Sequence, residues 1–379
     1  MVRSLSVQFS PTALSIRRNR FNELYKGELT LGHFGAAPKL LNKALWSARR
    51  LGCSAHIETL YSGGTALYPV YVKRIRGPVY LEPVFGYPIT DGGFLIEEAM
   101  DPHYVEPKET WRNGLPSMLN FEQTIRRPEL IDRHKSVVSL RHFWEWNYFH
   151  FHLDVLGKLK LLSNFSFPKD TAYALGLYVR QMSFASDILS KGRLASKSFV
   201  VPDVDNRRIV LADELIYCRI DPRFYRNRIE CLVDQMDLPP VSQGSCDKVF
   251  LTRNPPASSR ILNFSELRPL IEARGFRIVD SAQLTVDEQI KTFAQVRYLA
   301  AVHGAGLINM IYRRAGLLSV LEIHASNYVT DDFRDISQEF NYKYQRLPCE
   351  PVGPEKAQGS GMHVNAGDLE MALDQLVQG

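Results

Sequence analysis

From Asp247 onward, short apolar runs alternate with amphipathic stretches at a nearly constant interval. "DKVFLTRN", "FRIVD", "RYLAAVH" and "LSVLEIH" are apolar at consecutive positions and predict buried strands. "FSELRPLIEARG", "TVDEQIKTFAQV" and "LINMIYRRAG" carry apolar residues at helical spacing and predict helices between them, with Gly275 closing the first. Strands alternating with helices in this way predict an α/β fold with a parallel sheet, helices on its faces and ligands at the carboxyl ends of its strands. "TRN", "HGAG" and "EIH" all fall at those ends. Near the end of the chain, "DLEMALDQLVQ" sets Leu369, Leu373 and Leu376 on one face and predicts an amphipathic helix that needs a docking surface.

The first half is less regular. "YPVYVKRI" and "GPVYLEPVFGY" predict strands, and "YPITDGGF" a turn. A long proline-free apolar stretch predicts a helix from Asn147 to Leu162. "TAYALGLYV" and "SFVVPD" predict buried strands around a helix in "RQMSFASDILSK". "DPRFYRNRIECLVDQMDLPP" opens with Asp-Pro and closes with Pro-Pro, so it predicts a capped helix near a domain junction. The expected domains are 1–220, 221–350, and a linker with the terminal helix over 351–379.

With 379 residues the chain has room for two domains, and its 45% hydrophobic and 23% charged residues are those of a soluble globular protein. The net charge of +5 suits phosphate-bearing small molecules or peripheral association with an anionic membrane. The dense Lys/Arg runs of a nucleic-acid binder are missing. No apolar run approaches the roughly 20 residues that span a bilayer. The five cysteines form no Cys-x-x-Cys pair, which argues against zinc or a disulfide framework and makes a reducing cytoplasm the expected location. The leader "MVRSLSVQFSPTALSIRRNR" has no apolar core of a secretory signal.

The turn "HGAG", His303 to Gly306, sits where a strand passes into a helix. Glycines there allow a tight turn and close approach of a ligand, and the amides opening a helix attract phosphate. The competing reading is a tight turn with a core histidine. A dinucleotide fingerprint is a weak match, since Asn309 stands where GxGxxG needs its third glycine. Arg253 ends another strand of the same sheet and Arg260 follows it, and forked guanidinium donors match phosphate oxygens. Glu322 closes the next strand, where a carboxylate either binds ribose hydroxyls or pairs with a neighbouring arginine.

In "NYFHFHLDVLGKLKLL", His150 and Asp154 are four residues apart and share a helical face with Gly157. A histidine and a carboxylate flanked by apolar residues are costly when fully buried and cheaper in a cleft, where the carboxylate orients the imidazole. An internal His-Asp hydrogen bond locking the helix is the alternative. His152 lies off this face and reads as structural.

"HGAGLINMIY" with "VLEI" downstream, "FLTRNPPASSRILN" upstream and "DEQI" between resembles the glycosyltransferase family 61 domain over about residues 140 to 345. The family's Asn-x-x-His-x-x-x-Asp signature corresponds to Asn147, His150 and Asp154. The resemblance implies a GT-B architecture, two Rossmann-like domains facing a cleft, with the donor held mainly by the second and the acceptor by the first. It implies inverting, metal-independent transfer from a nucleotide-sugar, UDP-linked by preference, to a glycan or lipid-linked glycan. Surface or capsular polysaccharide synthesis, at the inner face of the membrane, is the implied setting. The family's donor positions fall on Arg253, Arg260 and the turn His303, Gly304, Ala305 and Gly306, with Asn309 and Glu322 beside them. Its catalytic positions fall on His150 and Asp154, with Asn147 and Gly157 as orienting residues. No cofactor is expected, and no Asp-x-Asp metal motif stands at a strand end. By analogy with other GT-B enzymes, the terminal helix is expected to cross back onto the first domain. The chain departs from common members at His150-Phe151 and Gly157-Lys158, which bears on the shape of the acceptor side.

Two other readings compete. "HFHLD" fits the His-x-x-x-Asp pattern of CoA-dependent acyltransferases, although these usually follow the aspartate with glycine on a turn. The third is a non-catalytic sugar-nucleotide-binding protein.

Overall fold

A computed structural model describes residues 6–8, 56–64, 69–81, 86, 88–90, 94–96, 127–142, 144–176, 179, 181–201, 209–221, 225–238, 247–253, 260–314, 317–353 and 361–378. The chain is α/β with mixed sheets and divides into two compact units. The first comprises Met1–Trp146, Asp154–Met182 and Ser196–Asp221; the second comprises Asn147–Leu153, Ser183–Ala195 and Pro222–Gly379. The stretches 147–153 and 183–195, expected in the N-terminal domain, thus pack with the C-terminal part of the chain.

The first unit is built on a nine-stranded sheet. Its strands are β1 (Ser6–Gln8), β2 (His56–Gly64), β3 (Pro69–Leu81), β4 (Pro88–Thr90), β5 (Phe94–Ile96), β6 (Ile131–Ser139), β7 (Ala172–Ala174), β8 (Ser198–Val200) and β9 (Ile209–Arg219). They run in the order β1-β5-β4-β3-β9-β6-β7-β8, with β2 paired to β3. Strands β9, β6, β7 and β8 are mutually parallel, whereas the long β2–β3 and β3–β9 pairings are antiparallel. This sheet is therefore mixed, not the parallel sheet of a Rossmann-like domain. Ile75, Val79, Val137, Ala212 and Leu215 are fully buried in its core.

The stretch expected as one helix is three pieces: α1 (Tyr148–His150), a π-helical stretch Phe151–Leu156, and α2 (Lys158–Leu162). Apolar residues on nearly every side satisfy either winding, so periodicity alone does not separate them. The π-helix, rare and common at functional sites, falls between His150 and Leu156.

In the second unit, β10 (Asp247–Thr252), β11 (Arg277–Asp280), β12 (Val296–Val302), β13 (Ser319–Ala325), β14 (Lys343–Val352) and β15 (Gly361–His363) form a six-stranded sheet. Its order is β11-β10-β12-β13-β14-β15, and all neighbours are parallel except the β14–β15 pair. The helices are α3 (Ser183–Leu189), α4 (Tyr225–Met236), α5 (Phe264–Ala273), α6 (Val286–Gln295), α7 (Asp332–Glu339) and α8 (Ala366–Gln378). Thr285 and Glu288 close a reciprocal capping box on α6. Part of the expected linker is sheet: β14 runs on to Val352 and β15 pairs with it. Pro348 and Pro351 disguise that strand in the sequence.

Leu369, Leu373 and Leu376 of α8 pack with Phe250, Leu267, Ile271 and Leu321. The terminal helix thus completes the second unit's own core, which corrects the expectation that it crosses to the first domain. Its apolar face finds the surface of β13, β14 and α5 immediately at hand. Among the described residues no helix is long and apolar enough to cross a membrane.

Candidate functional site

The chain goes from β10 to β11 on one side, then returns past β10 to β12 on the other. A sheet of this order opens a crevice at the carboxyl ends of the two strands flanking the reversal. A cleft of about 720 Å³ lies there, wholly in the second unit, with Thr252, Arg253, Asp280, Gly304, Gly306 and Tyr148 among its walls. Among the described residues its charged lining is Arg253, Asp187 and Asp280.

The two glycines have separate steric reasons. A Cβ on Gly304 would lie 2.9 Å from Arg253 Nη2, so the missing side chain is what lets the guanidinium lie against the turn. A Cβ on Gly306 would lie 2.9 Å from Ser281 Oγ and 3.6 Å from Leu251. Gly304 has φ 161 and ψ 172, extended backbone open to any residue, so space and not conformation selects glycine. The segment that follows, Ala305–Arg313, is a 3-10 helix where an α-helix was expected. Among the described residues Arg253 has no carboxylate partner.

Arg260 stands behind the cleft and does not line it. Its Nη1 donates to the His303 carbonyl at 2.8 Å. Burial, and then the charge of Arg253, lower its pKa. Two nearby guanidinium groups that raise each other's energy are relieved by an anion between or beside them.

His303 and Glu322 also lie behind the lining. His303 Nδ1 donates to Glu322 Oε1 at 2.5 Å, and its ring stands edge-on between Tyr328 and Phe333. Glu322 is 1% exposed. Its other oxygen accepts from the Tyr344 hydroxyl, and Arg346 Nε lies 3.9 Å away. Burial and the charge of Glu322 push the Tyr344 phenol upward, so it remains a donor. Both Glu322 carboxylate oxygens thus meet protein donors, His303 and Tyr344 in hydrogen bonds and Arg346 as a looser ion pair.

Asn309 is fully buried. Tyr148 OH donates to its Oδ1 at 2.9 Å, and its Nδ2 donates to Gln289 Oε1 at 2.8 Å. It ties together two cleft walls from below. Below Tyr148, His152 Nδ1 donates to the Tyr148 carbonyl at 2.7 Å and Nε2 accepts from Tyr312 OH at 2.9 Å. Complete burial lowers the His152 pKa to about 4, so the ring is neutral. Tyr148, Gln289, Tyr312, Tyr344 and Asp280 were not singled out as site residues, although Tyr148, Gln289 and Tyr312 lie within stretches quoted for their chemistry or their resemblance. Only Asp280, an acid ending the second strand of a strand–helix–strand series, leaves a positional signal.

Asn147 caps α1, its Oδ1 accepting from Phe149 N at 2.9 Å and from His150 N at 3.4 Å. His150 is half-buried with its ring edge-on to Phe149. Gly157 is the residue between the π-helical stretch and α2. The boundary between the compact units falls between Leu153 and Asp154. Within the first unit, Asp154 Oδ2 lies 4.0 Å from Nε2 of His142, a residue the sequence did not single out. Trp144 N donates to His142 Nδ1 at 3.2 Å, so the ring proton resides on Nε2, towards Asp154.

Residues 148–320 match the family model described as Glycosyltransferase 61, which supports the family assignment read from the motifs. The match takes in His150, Asp154, Arg253, Arg260 and the glycine turn, and begins one residue after Asn147. The chain matches no curated protein at a significant level.

Proposed function

We propose, from the glycosyltransferase 61 match over residues 148–320, that this chain transfers a sugar from a nucleoside-diphosphate sugar to an acceptor hydroxyl. The observation carrying this is the Arg253 guanidinium laid against Gly304 at the reversal point of a parallel sheet, without a carboxylate partner among the described residues. A diphosphate supplies the missing negative charge, with Arg260 reinforcing the field from behind.

In our reading the donor is UDP-linked, the architecture is a GT-B variant whose first domain carries a mixed sheet, and the acceptor is a glycan or lipid-linked glycan of surface polysaccharide synthesis. The reaction is inverting. A base removes the acceptor hydroxyl proton while that oxygen bonds to the anomeric carbon, and the bond to the diphosphate breaks with its electron pair leaving on the phosphate. Arg253, Arg260 and the amides of Gly304–Gly306 stabilise that leaving charge, so the scheme requires no metal ion. His150 or Asp154 is the base, and His142 Nε2 stands 4.0 Å from the Asp154 carboxylate.

The test is sugar transfer by His150→Ala and Asp154→Asn, alongside calorimetric titration with UDP. We expect transfer to fall by about 10²–10⁴ with nucleotide binding kept. Transfer at the wild-type rate by both variants refutes the base assignment, and selective stabilisation by CoA instead of nucleotides favours an acyltransferase.

A further inference from the structure

The parallel part of the first unit contains a reversal of its own. From β6 the chain moves outward to β7 and β8, then returns to set β9 on the other side of β6. The carboxyl end of a strand at such a reversal favours a ligand. The segment leaving β6 there, "LRHFWEW", carries two indoles. Trp146 is 41% exposed and meets Trp144 edge-on, with ring centroids 5.2 Å apart. We infer that Trp146, braced by Trp144, is the platform on which a pyranose ring of the acceptor stacks, so that the accepting hydroxyl belongs to a sugar; this rests on the transferase reading above.

Three observations support it. First, the turn carrying the indoles is held rigidly. Arg141 and Glu145 form a buried two-point ion pair, at 3.1 Å for each contact, and His142 N donates to the same carboxylate at 3.4 Å. Gly176 and Gly86 make room for it: a Cβ would fall 1.2 Å from Glu145 Oε1 at the first and 2.6 Å from Arg141 Cβ at the second. A buried pair costs desolvation, and what it gives this non-helical turn is one fixed shape. Second, the same turn reaches a proposed base. Trp144 N donates to His142 Nδ1, and His142 Nε2 stands 4.0 Å from Asp154, all within the first unit. Third, the exposed surface is the size of one ring. Among the described residues of this unit, Tyr61 is the other large apolar side chain so exposed, and β3 and β9 separate its strand from β6. A membrane or protein partner needs a broad apolar patch. A sugar needs one flat indole, whose negative face attracts the C–H groups of the pyranose.

The experiment is saturation-transfer NMR titration of the full chain with the methyl glycosides of glucose, galactose, mannose and xylose. Octanol and a serine peptide serve as hydroxyls without a sugar ring, and UDP is titrated alongside. Trp146→Leu removes the aromatic face and keeps apolar bulk, whereas Trp146→Phe keeps a face. Because the ring is exposed, both variants should melt close to wild type. We expect at least one glycoside to bind wild type, about three- to tenfold more weakly to Trp146→Leu, and with part of that loss restored in Trp146→Phe. Glycoside binding by Trp146→Leu within twofold of wild type, or wild-type binding of the alcohol or peptide alone, overturns the platform. A wild-type chain that binds UDP and no glycoside also overturns it and leaves the donor reading standing. Glycoside binding lost in Trp146→Leu, from a chain that binds no UDP, keeps the platform and removes the donor reading.

Discussion

Gly304→Ala separates the turn's role in binding from its role in folding. The new methyl would sit 2.9 Å from Arg253 Nη2, 3.4 Å from Cζ and 3.5 Å from Nε. These atoms end a long side chain, and the backbone at Gly304 is extended, so the fold absorbs the methyl by swinging the guanidinium aside. The stability cost is then below about 1 kcal/mol, the ordinary range for substitutions that create no cavity or buried orphan. The ligand loses a charge-assisted hydrogen bond worth about 1.5–3 kcal/mol, roughly ten- to hundredfold in Kd. Thermal melting and calorimetric titration with UDP measure the two separately. Because both substitutions remove the same guanidinium contact, Arg253→Ala with Gly304→Ala should bind no worse than Arg253→Ala alone. Gly176 provides the contrast: a Cβ there would fall 1.2 Å from Glu145 Oε1, within a buried pair with Arg141, so the same change should damage folding. Unchanged UDP affinity in a stable Gly304→Ala protein would refute the anion site at this turn.

His152 predicts an acid-sensitive fold. Its pKa is about 4 in the fold against 6.5 when unfolded, so the unfolded chain binds the extra proton between those values. Stability is therefore full above about pH 6.5 and declines by about 3 kcal/mol as pH falls towards 4. Denaturation midpoints across that window should slope less in His152→Gln, and an identical slope contradicts the assignment. Leu373, fully buried in α8, should cost about 2–5 kcal/mol when replaced by alanine. Met371 on the same helix is 56% exposed and should cost almost nothing, so equal losses in chemical denaturation would contradict the docking of α8.

The second sheet was legible because buried parallel strands are written as short apolar runs and the helices between them carry end signals such as the Thr285–Glu288 box. The glycine turn was legible because glycines at a strand-to-helix junction signal close approach to the main chain; that the approaching group is the Arg253 guanidinium was not. The winding of 151–156 was not, since an apolar stretch satisfies an α-helix and a π-helix equally. Nor was the burial of Glu322: an acid at a strand end reads alike whether it meets solvent or a histidine. The Tyr148–Asn309 bond joins positions 161 apart, beyond the reach of any local pattern.

The chain enters the second unit three times, at 147–153, 183–195 and from 222 onward. Tyr148 and Phe184, which wall the cleft, are therefore made before any strand of the sheet they serve. A fragment beginning at 222 would fold its sheet with one side of the nucleotide crevice open. During synthesis, Tyr148 must wait 161 residues for Asn309 and His152 must wait 160 for Tyr312. Long-range closure of this kind slows folding and leaves sticky surface exposed in the meantime.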